Sequence, residues 1–244
     1  MRILAIGDIH GQYKEMVTMV EALEPSQDDI VVFLGDYIDR GDRSSEVIEQ
    51  LINWSKAYPR WEFLLGNHEQ LFLDYYLQNG KRFGLYTWLQ NGGDTTRESY
   101  KPDNLSDYEK AIFQFEFPTE HLSFITDLNL WFETDEFFFV HGGLIPEEPI
   151  DASKDYPDTI LWAREGFIDS DWDWGKKIIF GHTPALHKRW NPKGIGYPII
   201  MKNKLGLDGA VCPPGRKALL AADLTNNLIY RVETDTLFLE KFPI

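Results

Sequence analysis

Short apolar runs recur along the chain, and each ends at a small group of Gly, Asp, Asn or His residues. Runs of this kind occupy residues 2–6, 30–34, 61–65, 137–140 and 177–180. Runs of four or five residues that are rich in β-branched and aromatic side chains and bounded by glycine are typical of buried strands, because they are too short for core helices. We therefore predict five strands, each followed by a polar loop.

Two amphipathic patterns lie between the first three predicted strands. Apolar residues recur at positions 16, 17, 20 and 23, and again at 47, 48, 51 and 52. A period of 3.6 residues places each set on one face of a helix, so the first third of the chain is predicted to be a βαβαβ unit. Candidate strands at 204–207, 218–222 and 228–232 favour a second, more antiparallel sheet. The predicted fold class is α/β, with two mixed β-sheets packed as a sandwich flanked by helices.

Residues 80–130 have a different character, with glycines at 80, 84, 92 and 93 among aromatic and acidic residues. This segment is predicted to be a helical insertion or lid. A Pro-Pro-Gly sequence at 213–215 predicts a turn between two strands. Because the chain has no internal repeat and no linker rich in Pro or Ser, residues 1–244 are predicted to form a single domain.

Charge and composition exclude several classes of partner. The chain has 24 Lys and Arg against 39 Asp and Glu, a net charge of −15 that disfavours binding to nucleic acid and to anionic membrane surfaces. Its single cysteine, Cys212, can form no internal disulfide. The N-terminal apolar run is too short for a signal peptide, and no stretch approaches the ~18 apolar residues of a membrane span. We predict a cytoplasmic protein without a nucleic-acid or membrane partner, and the oligomeric state stays open.

The polar groups that follow the strands can supply ligands for hard divalent metals. In α/β sheets, ligands gather beyond the carboxyl ends of the strands. Carboxylate, amide and imidazole groups suit such ions, and a bridging carboxylate can hold two of them ~3.5–4 Å apart for phosphoryl transfer. Each motif alone is typical of an ordinary turn, so the prediction depends on five of them occurring together. The predicted ligands are Asp8, His10, Asp36, Asn67, His141 and His182.

These motifs also resemble those of a known family. The sequences GDIHG at 7–11, GDYIDRG at 35–41 and GNHE at 66–69 resemble the three signature motifs of the metal-dependent serine/threonine phosphoprotein phosphatases. The sequences HGGL at 141–144 and GHTP at 181–184 are similar to the remaining metal-ligand motifs of that family. The resemblance is to the compact bacterial and phage type, within the calcineurin-like metallophosphoesterase superfamily, and it implies the calcineurin-like fold.

The resemblance further implies a dinuclear centre in which a metal-bound hydroxide attacks a phosphomonoester. The cofactors would be two divalent ions, either Mn²⁺ or an Fe/Mn or Fe/Zn pair. They would be held by two sets of ligands that share Asp36, namely Asp8, His10 and Asp36 for one ion, and Asp36, Asn67, His141 and His182 for the other.

Four more residues acquire roles from the same resemblance. His68 is similar to the general acid that protonates the leaving alkoxide, and Asp39 would orient it. Arg40 would bind the phosphate. Arg164 resembles a second phosphate-binding arginine over a short match, and the alternative is a surface arginine paired with Glu165.

The substrate is less well defined by the sequence. The expected substrate is a phosphorylated protein or a small phosphorylated molecule, since GDYIDRG and GNHE are closer to the protein phosphatases than to the dinucleoside polyphosphate hydrolases that share the fold. The segment at 88–100 resembles one found in both bacterial phosphatases and those hydrolases. Tyr86 and Trp88 could stack on an adenine or pack within a lid helix. An inactive metal-binding scaffold is disfavoured because every ligand and the acid are present.

Overall fold

The computed structural model describes residues 1–78, 82–102, 115–212 and 217–244, in which two β-sheets pack against each other. The strands of these residues are β1 (Ile3–Ile6), β2 (Ile30–Phe33), β3 (Trp61–Phe63), β4 (Trp131–Glu133), β5 (Phe137–Val140), β6 (Lys177–Phe180), β7 (Ile199–Ile200), β8 (Lys204–Gly206), β9 (Ala218–Asp223), β10 (Leu228–Glu233) and β11 (Leu239–Pro243). The first sheet has the order β11-β10-β9-β1-β2-β3 and the second the order β4-β5-β6-β8-β7. Both contain parallel and antiparallel pairs, so the predicted sandwich of two mixed sheets is confirmed.

Helices cover the outer faces of both sheets. They are α1 (Tyr13–Leu23), α2 (Ser44–Ala57), α3 (Asn67–Gln78), α4 (Leu85–Trp88), α5 (Asp94–Ser99), α6 (Thr119–Thr126), α7 (Ile150–Lys154), α8 (Pro157–Trp162) and α9 (Glu165–Ile168). β1 pairs in parallel with β2, and β2 with β3, so α1 and α2 are the crossover helices of the predicted βαβαβ unit. No helix in the described ranges is both long and apolar enough to cross a membrane.

The apolar layer between the sheets is formed by side chains from both. Ala5 and Val32 on the first sheet, and Leu64 directly after β3, lie in one buried cluster with Ile179 and Leu205 on the second sheet. Complete burial of an aliphatic side chain of Val, Leu or Ile size contributes about 1.5–3 kcal/mol, so this layer fixes the two sheets face to face. The loops at the ends of their strands are thereby held in a constant relation.

The later strands are divided between the sheets differently from the prediction. β8 lies in the second sheet, parallel to β6, whereas β9 and β10 belong to the first, with β9 antiparallel to β1. The prediction that these three strands form the second sheet together was therefore wrong. All are short and apolar, and such a run reveals that it is a strand without revealing which neighbour it pairs with.

The predicted insertion at 80–130 is helical in much of its described part. There, α4, a π-helical turn (Leu89–Gly93) and α5 follow one another directly, and α6 packs against α2. Residues 80, 81 and 103–114 of the predicted insertion, and the predicted turn at 213–215, lie outside the described residues. Its action as a lid stays a prediction.

Candidate metal centre and active site

The loops after five strands from both sheets meet at one edge of the sandwich. The backbone N–H of His182, after β6, donates to both carboxylate oxygens of Asp8, after β1, at 3.0 Å. The ring of His141, after β5, donates through Nδ1 to the carbonyl of Leu34, after β2, at 2.7 Å. The five polar motifs identified in the sequence are therefore brought together in space.

Asp36 lies between two groups of possible ligand atoms. Its Oδ1 is 3.3 Å from His141 Nε2, and its Oδ2 is 3.5 Å from His10 Nε2. Asn67 Oδ1 is 2.9 Å from His141 Nε2 and 2.8 Å from His182 Nδ1. Ligand atoms about 2.1 Å from an octahedral ion stand about 3 Å apart, so the spacing suits divalent ions on either side of Asp36.

The histidine rings also carry lone pairs that a cation would use. His10 donates Nδ1–H to the carbonyl of Ile38 at 3.0 Å, and His141 donates Nδ1–H to Leu34, which leaves each Nε2 as a ligand atom. His182 Nε2 is buried and has no hydrogen-bond partner among the described residues. His141 Nε2, with no proton of its own in this tautomer, then faces the oxygens of Asn67 and Asp36, an arrangement of lone pairs that a bound cation would stabilise.

Electrostatics in the site favour cations as well. Burial raises the pKa of Asp8 well above its usual range, and the charges of Asp208 and Asp36 raise it further. Burial alone would lower the pKa of His141, but the Asp36 carboxylate outweighs burial and raises it to about 9. Three buried carboxylates this close together are costly unless positive charge is bound among them.

In the described residues, two groups of side chains converge closely enough for each to hold one ion, and Asp8 is the one predicted carboxylate ligand outside both groups. His68 instead joins His10 and Asp36 in the first group, and Asp36, His141 and His182 form the second. His68 Nδ1 is held by Asp39 at 2.8 Å, which leaves only its Nε2 directed at the site, 4.0 Å from Asp36 Oδ2.

The Asp39–His68 pair is buried and closely hydrogen-bonded. Burial lowers the pKa of His68 to about 4 and raises that of Asp39. Asp39 also accepts the indole N–H of Trp88 and the hydroxyl of Thr96, both of which stabilise the carboxylate form. The predicted acid and its orienting carboxylate are thus in direct contact.

Arg40 lies beside the first group of ligand atoms. It is exposed, and one guanidinium N–H donates to His10 Nε2 at 3.0 Å. The side chain also lies near Cys212 and is attracted by the negative charge of Asp208. A guanidinium group can bind two oxygens of an anion at once, and Arg40 offers such a group beside these ligand atoms.

Arg164 lies beside the second group. Its guanidinium donates to the carbonyl of His182 at 3.1 Å and to the hydroxyl of Thr183 at 3.2 Å. Glu165, the alternative partner from the sequence, instead pairs with His187 at 3.1 Å. Both arginines therefore border the site, on opposite groups of ligands.

Several site residues have a backbone conformation that L-amino acids rarely adopt. The φ angles of His10, Asp36, Asp39, Arg40 and His182 are 45°, 54°, 70°, 66° and 63°. Each such residue costs about 1 kcal/mol or more, so the surrounding contacts must impose these conformations. Strain of this kind concentrates at functional sites because it aims side chains in directions that regular structure does not allow.

The sequence motifs did not reveal every residue that shapes the site. Glu69, inside the GNHE motif, accepts four backbone N–H groups from the loops after β2 and β3. Asp208 follows the parallel strand β8, and that position was the only signal that could have identified it. Cys212 is buried and lies near Arg40.

Comparisons with known proteins agree with this geometry. A sequence profile of the calcineurin-like phosphoesterases matches residues 1–212. The serine/threonine-protein phosphatase PP2A-like PPG1 of Saccharomyces cerevisiae is 30% identical over 205 residues, which is 80% of this chain and 49% of the relative. The chain spans about half the length of the curated relatives it matches.

Solved structures show the same fold at low sequence identity. A candidate diadenosine tetraphosphatase matches with a TM-score of 0.60 and 19% identity, covering 99% of this chain and 93% of that one. A cold-active protein tyrosine phosphatase matches with a TM-score of 0.55 and 18% identity, covering 98% and 78%. The profile match, the fold and the clustered side chains lead to one conclusion: this chain belongs to the calcineurin-like phosphoesterase family.

Proposed function

We propose that the chain hydrolyses phosphomonoesters at a dinuclear metal centre and that its substrates are phosphorylated on serine or threonine. The observation that carries the proposal is the position of the Asp39–His68 pair, with His68 Nε2 4.0 Å from Asp36 and an arginine beside each ligand group. An acid, two phosphate-binding groups and a metal site thus surround one point. No side-chain nucleophile is required.

The proposed ligands divide into two sets. Asp36 is shared by both ions, and the remaining ligands are Asp8 and His10 for the first ion and Asn67, His141 and His182 for the second. When bound, two divalent ions lower the pKa of a coordinated water and so supply the nucleophile. A mixed oxygen and nitrogen donor set suits Mn²⁺, which we propose, and also Fe/Mn or Fe/Zn pairs.

The protein's own groups perform the remaining steps. Arg40 and Arg164 bind the phosphate oxygens and offset the charge that develops as the ester bond breaks. His68 protonates the leaving oxygen through Nε2, while Asp39 accepts its Nδ1–H and fixes the ring. Burial lowers the pKa of His68, and the negative charge of a bound phosphate opposes that shift.

Support for a phosphoprotein substrate comes from the relatives, which are serine/threonine phosphatases, and from the burial of Trp88. Trp88 is 0% exposed and cannot stack on a base. Tyr86 is 72% exposed and favours the second candidate, a dinucleoside polyphosphate hydrolase, which the structural likeness to a candidate diadenosine tetraphosphatase also supports. An inactive scaffold is disfavoured by the complete set of ligands and acid.

The test compares phosphate release from a phosphothreonine peptide with cleavage of diadenosine tetraphosphate, both with added Mn²⁺. Preference for the peptide, measured as kcat/KM, supports the proposal, and preference for the dinucleotide overturns the substrate class. In the second case Tyr86→Ala should raise KM for the dinucleotide by about 10-fold or more, because stacking on a base contributes about 1–3 kcal/mol.

Two variants test the chemistry separately. Asp36→Asn should abolish activity on any substrate, and retained activity would contradict the dinuclear assignment. His68→Asn should keep both metals and lose ~10²–10⁴-fold in kcat. Metal content, measured by atomic emission, distinguishes loss of an acid from loss of a ligand.

A further inference from the structure

We infer that Trp88 and Thr96 are positioning residues for His68 and that they act through Asp39. The segment from Leu85 to Ser99 then serves to hold the proposed general acid in place and does not act as a lid over the substrate. The inference rests on the proposed role of His68 as general acid. It assigns a purpose to a helical segment whose glycines and tryptophan the phosphatase chemistry does not otherwise use.

The hydrogen bonds around Asp39 favour its carboxylate form. The Trp88 indole N–H, which can only donate, lies 3.0 Å from Oδ1 and 3.1 Å from Oδ2. The Thr96 hydroxyl accepts the Asp39 backbone N–H at 2.8 Å and donates to Oδ1 at 2.7 Å. Both carboxylate oxygens accept hydrogen bonds, which favours the arrangement in which the proton between Asp39 Oδ2 and His68 Nδ1 resides on the histidine. The free Nε2 is left to exchange the catalytic proton.

The indole of Trp88 is fixed by its surroundings. It is fully buried, and it stacks on Tyr75 at 5.1 Å and contacts Phe72 at 5.3 Å between ring centroids. A Cβ atom on Gly93 would lie only 2.4 Å from the indole, so the backbone there is packed directly against the ring. A side chain enclosed in this way cannot swing with a closing lid, but it can hold a carboxylate in one position.

The same segment also holds the residue after Asp39. The carbonyl of Gly92 accepts the backbone N–H of Arg40 at 3.0 Å. Gly92 has a φ of 101°, and a Cβ atom there would lie 2.7 Å from the Arg40 nitrogen. The segment from Leu85 to Ser99 thus supports two neighbouring residues, Asp39 and Arg40, whose own φ angles of 70° and 66° require external contacts.

The predicted signature is a dependence on the leaving group. Nitrophenolate departs without a proton, whereas the alkoxide of threonine needs one, so a misplaced acid slows only the second reaction. Trp88→Phe and Thr96→Val each remove one hydrogen bond to a charged group, and we expect kcat on the phosphothreonine peptide to fall by about 10- to 100-fold. The kcat on p-nitrophenyl phosphate should fall by less than about threefold, and KM and metal content should not change.

The chain offers matched controls for both variants. Trp61→Phe makes the same change in the same buried cluster, at an indole N–H that has no hydrogen-bond partner among the described residues, and it should leave both rates unchanged. Thr96→Ser keeps the hydroxyl and should restore the rate lost in Thr96→Val. In an Asp39→Ala background, Trp88→Phe should cause no further loss on the peptide, because its effect passes through Asp39.

Three results would overturn the inference. Equal losses on both substrates in Trp88→Phe and Thr96→Val would mean that these side chains only stabilise the fold. Additive losses with Asp39→Ala would show that Trp88 acts by another route. If His68→Asn itself lost kcat equally on both substrates, the acid assignment would fail, and the inference with it. The His68→Asn result tests the proposed function alone, because Trp88 and Thr96 are intact in that variant, and it can therefore be told apart from the other two results.

Discussion

Replacing Glu69 with glutamine tests how the ligand-bearing loops are held together. Glu69 is completely buried at the start of α3, and its Oε2 accepts the backbone N–H groups of Asp36 and Gly66, both at 3.0 Å. Its Oε1 accepts those of Tyr37 at 2.8 Å and Ile38 at 3.1 Å. One carboxylate therefore joins the loop that carries the bridging Asp36 to the loop that leads into Asn67.

The size of the effect follows from the four acceptor contacts. Glutamine has the same shape, but its NH₂ group cannot accept a hydrogen bond. In either orientation of the amide, two backbone N–H groups lose their acceptor. A buried donor without a partner costs about 1–3 kcal/mol, so the free energy of unfolding should fall by about 2–6 kcal/mol. The affinity for the two metal ions that Asp36 would bridge should also fall, because the loop that carries Asp36 is held less firmly.

Urea unfolding of the metal-free protein at pH 9 measures the loss. Burial and the Asp36 charge raise the pKa of Glu69 to about 8, so at pH 9 the side chain is a carboxylate. Glu62→Gln is the matched control, because Glu62 is half-buried on the neighbouring β3 and accepts one side-chain hydrogen bond, from Asn129 at 3.3 Å. It should change the unfolding free energy by less than about 1 kcal/mol. A Glu69→Gln protein as stable as this control would refute the reasoning.

Three further predictions concern metal affinity, the backbone and the phosphate. Because the pKa of His141 is about 9 without metal, an ion must displace its proton, and the Mn²⁺ affinity measured by calorimetry should rise by up to about tenfold per pH unit and level off above pH 9. A flat profile between pH 6.5 and 8.5 would contradict this. Gly92→Ala forces a side chain against Arg40 at a φ of 101°, and kcat/KM should fall by about 10-fold or more, whereas Gly84→Ala, in open space, should have no effect. Arg164→Ala should raise KM for a phosphate ester by about 10-fold with a smaller change in kcat, because an exposed guanidinium contributes mainly to binding, and an unchanged KM would remove it from the phosphate site.

The sequence was informative about the site because strand ends are local features. A buried strand cannot contain Asp36 or His141, so their appearance directly after an apolar run marks the point where the chain leaves the sheet. The carboxyl ends of parallel strands share one edge, and the convergence of these residues follows from that rule. The ligand roles themselves rest on the family resemblance and stay proposals.

Contacts between distant segments were beyond the reach of such patterns. The sequence allowed two roles for Trp88, stacking on a base or packing in a helix, and its complete burial and its hydrogen bond to Asp39 at 3.0 Å distinguish them. The pairing of β9 with β1 is set by packing across more than two hundred residues of chain, for which no local period exists. Asp208 resembled an ordinary loop residue for the same reason.

The position of β9 beside β1 also has a consequence for the order of synthesis. β1 is translated well before its antiparallel neighbour β9, because Leu4 pairs with Asp223, which follows it more than two hundred residues later in the chain. At about 5–20 residues per second, β1 waits on the order of ten seconds or more with an unpaired edge. Folding that depends on so distant a partner is slow, and the nascent chain is exposed to edge-to-edge aggregation in the interval. A truncated chain that lacks β9 to β11 should therefore accumulate as aggregates on expression, even though it retains every proposed metal ligand.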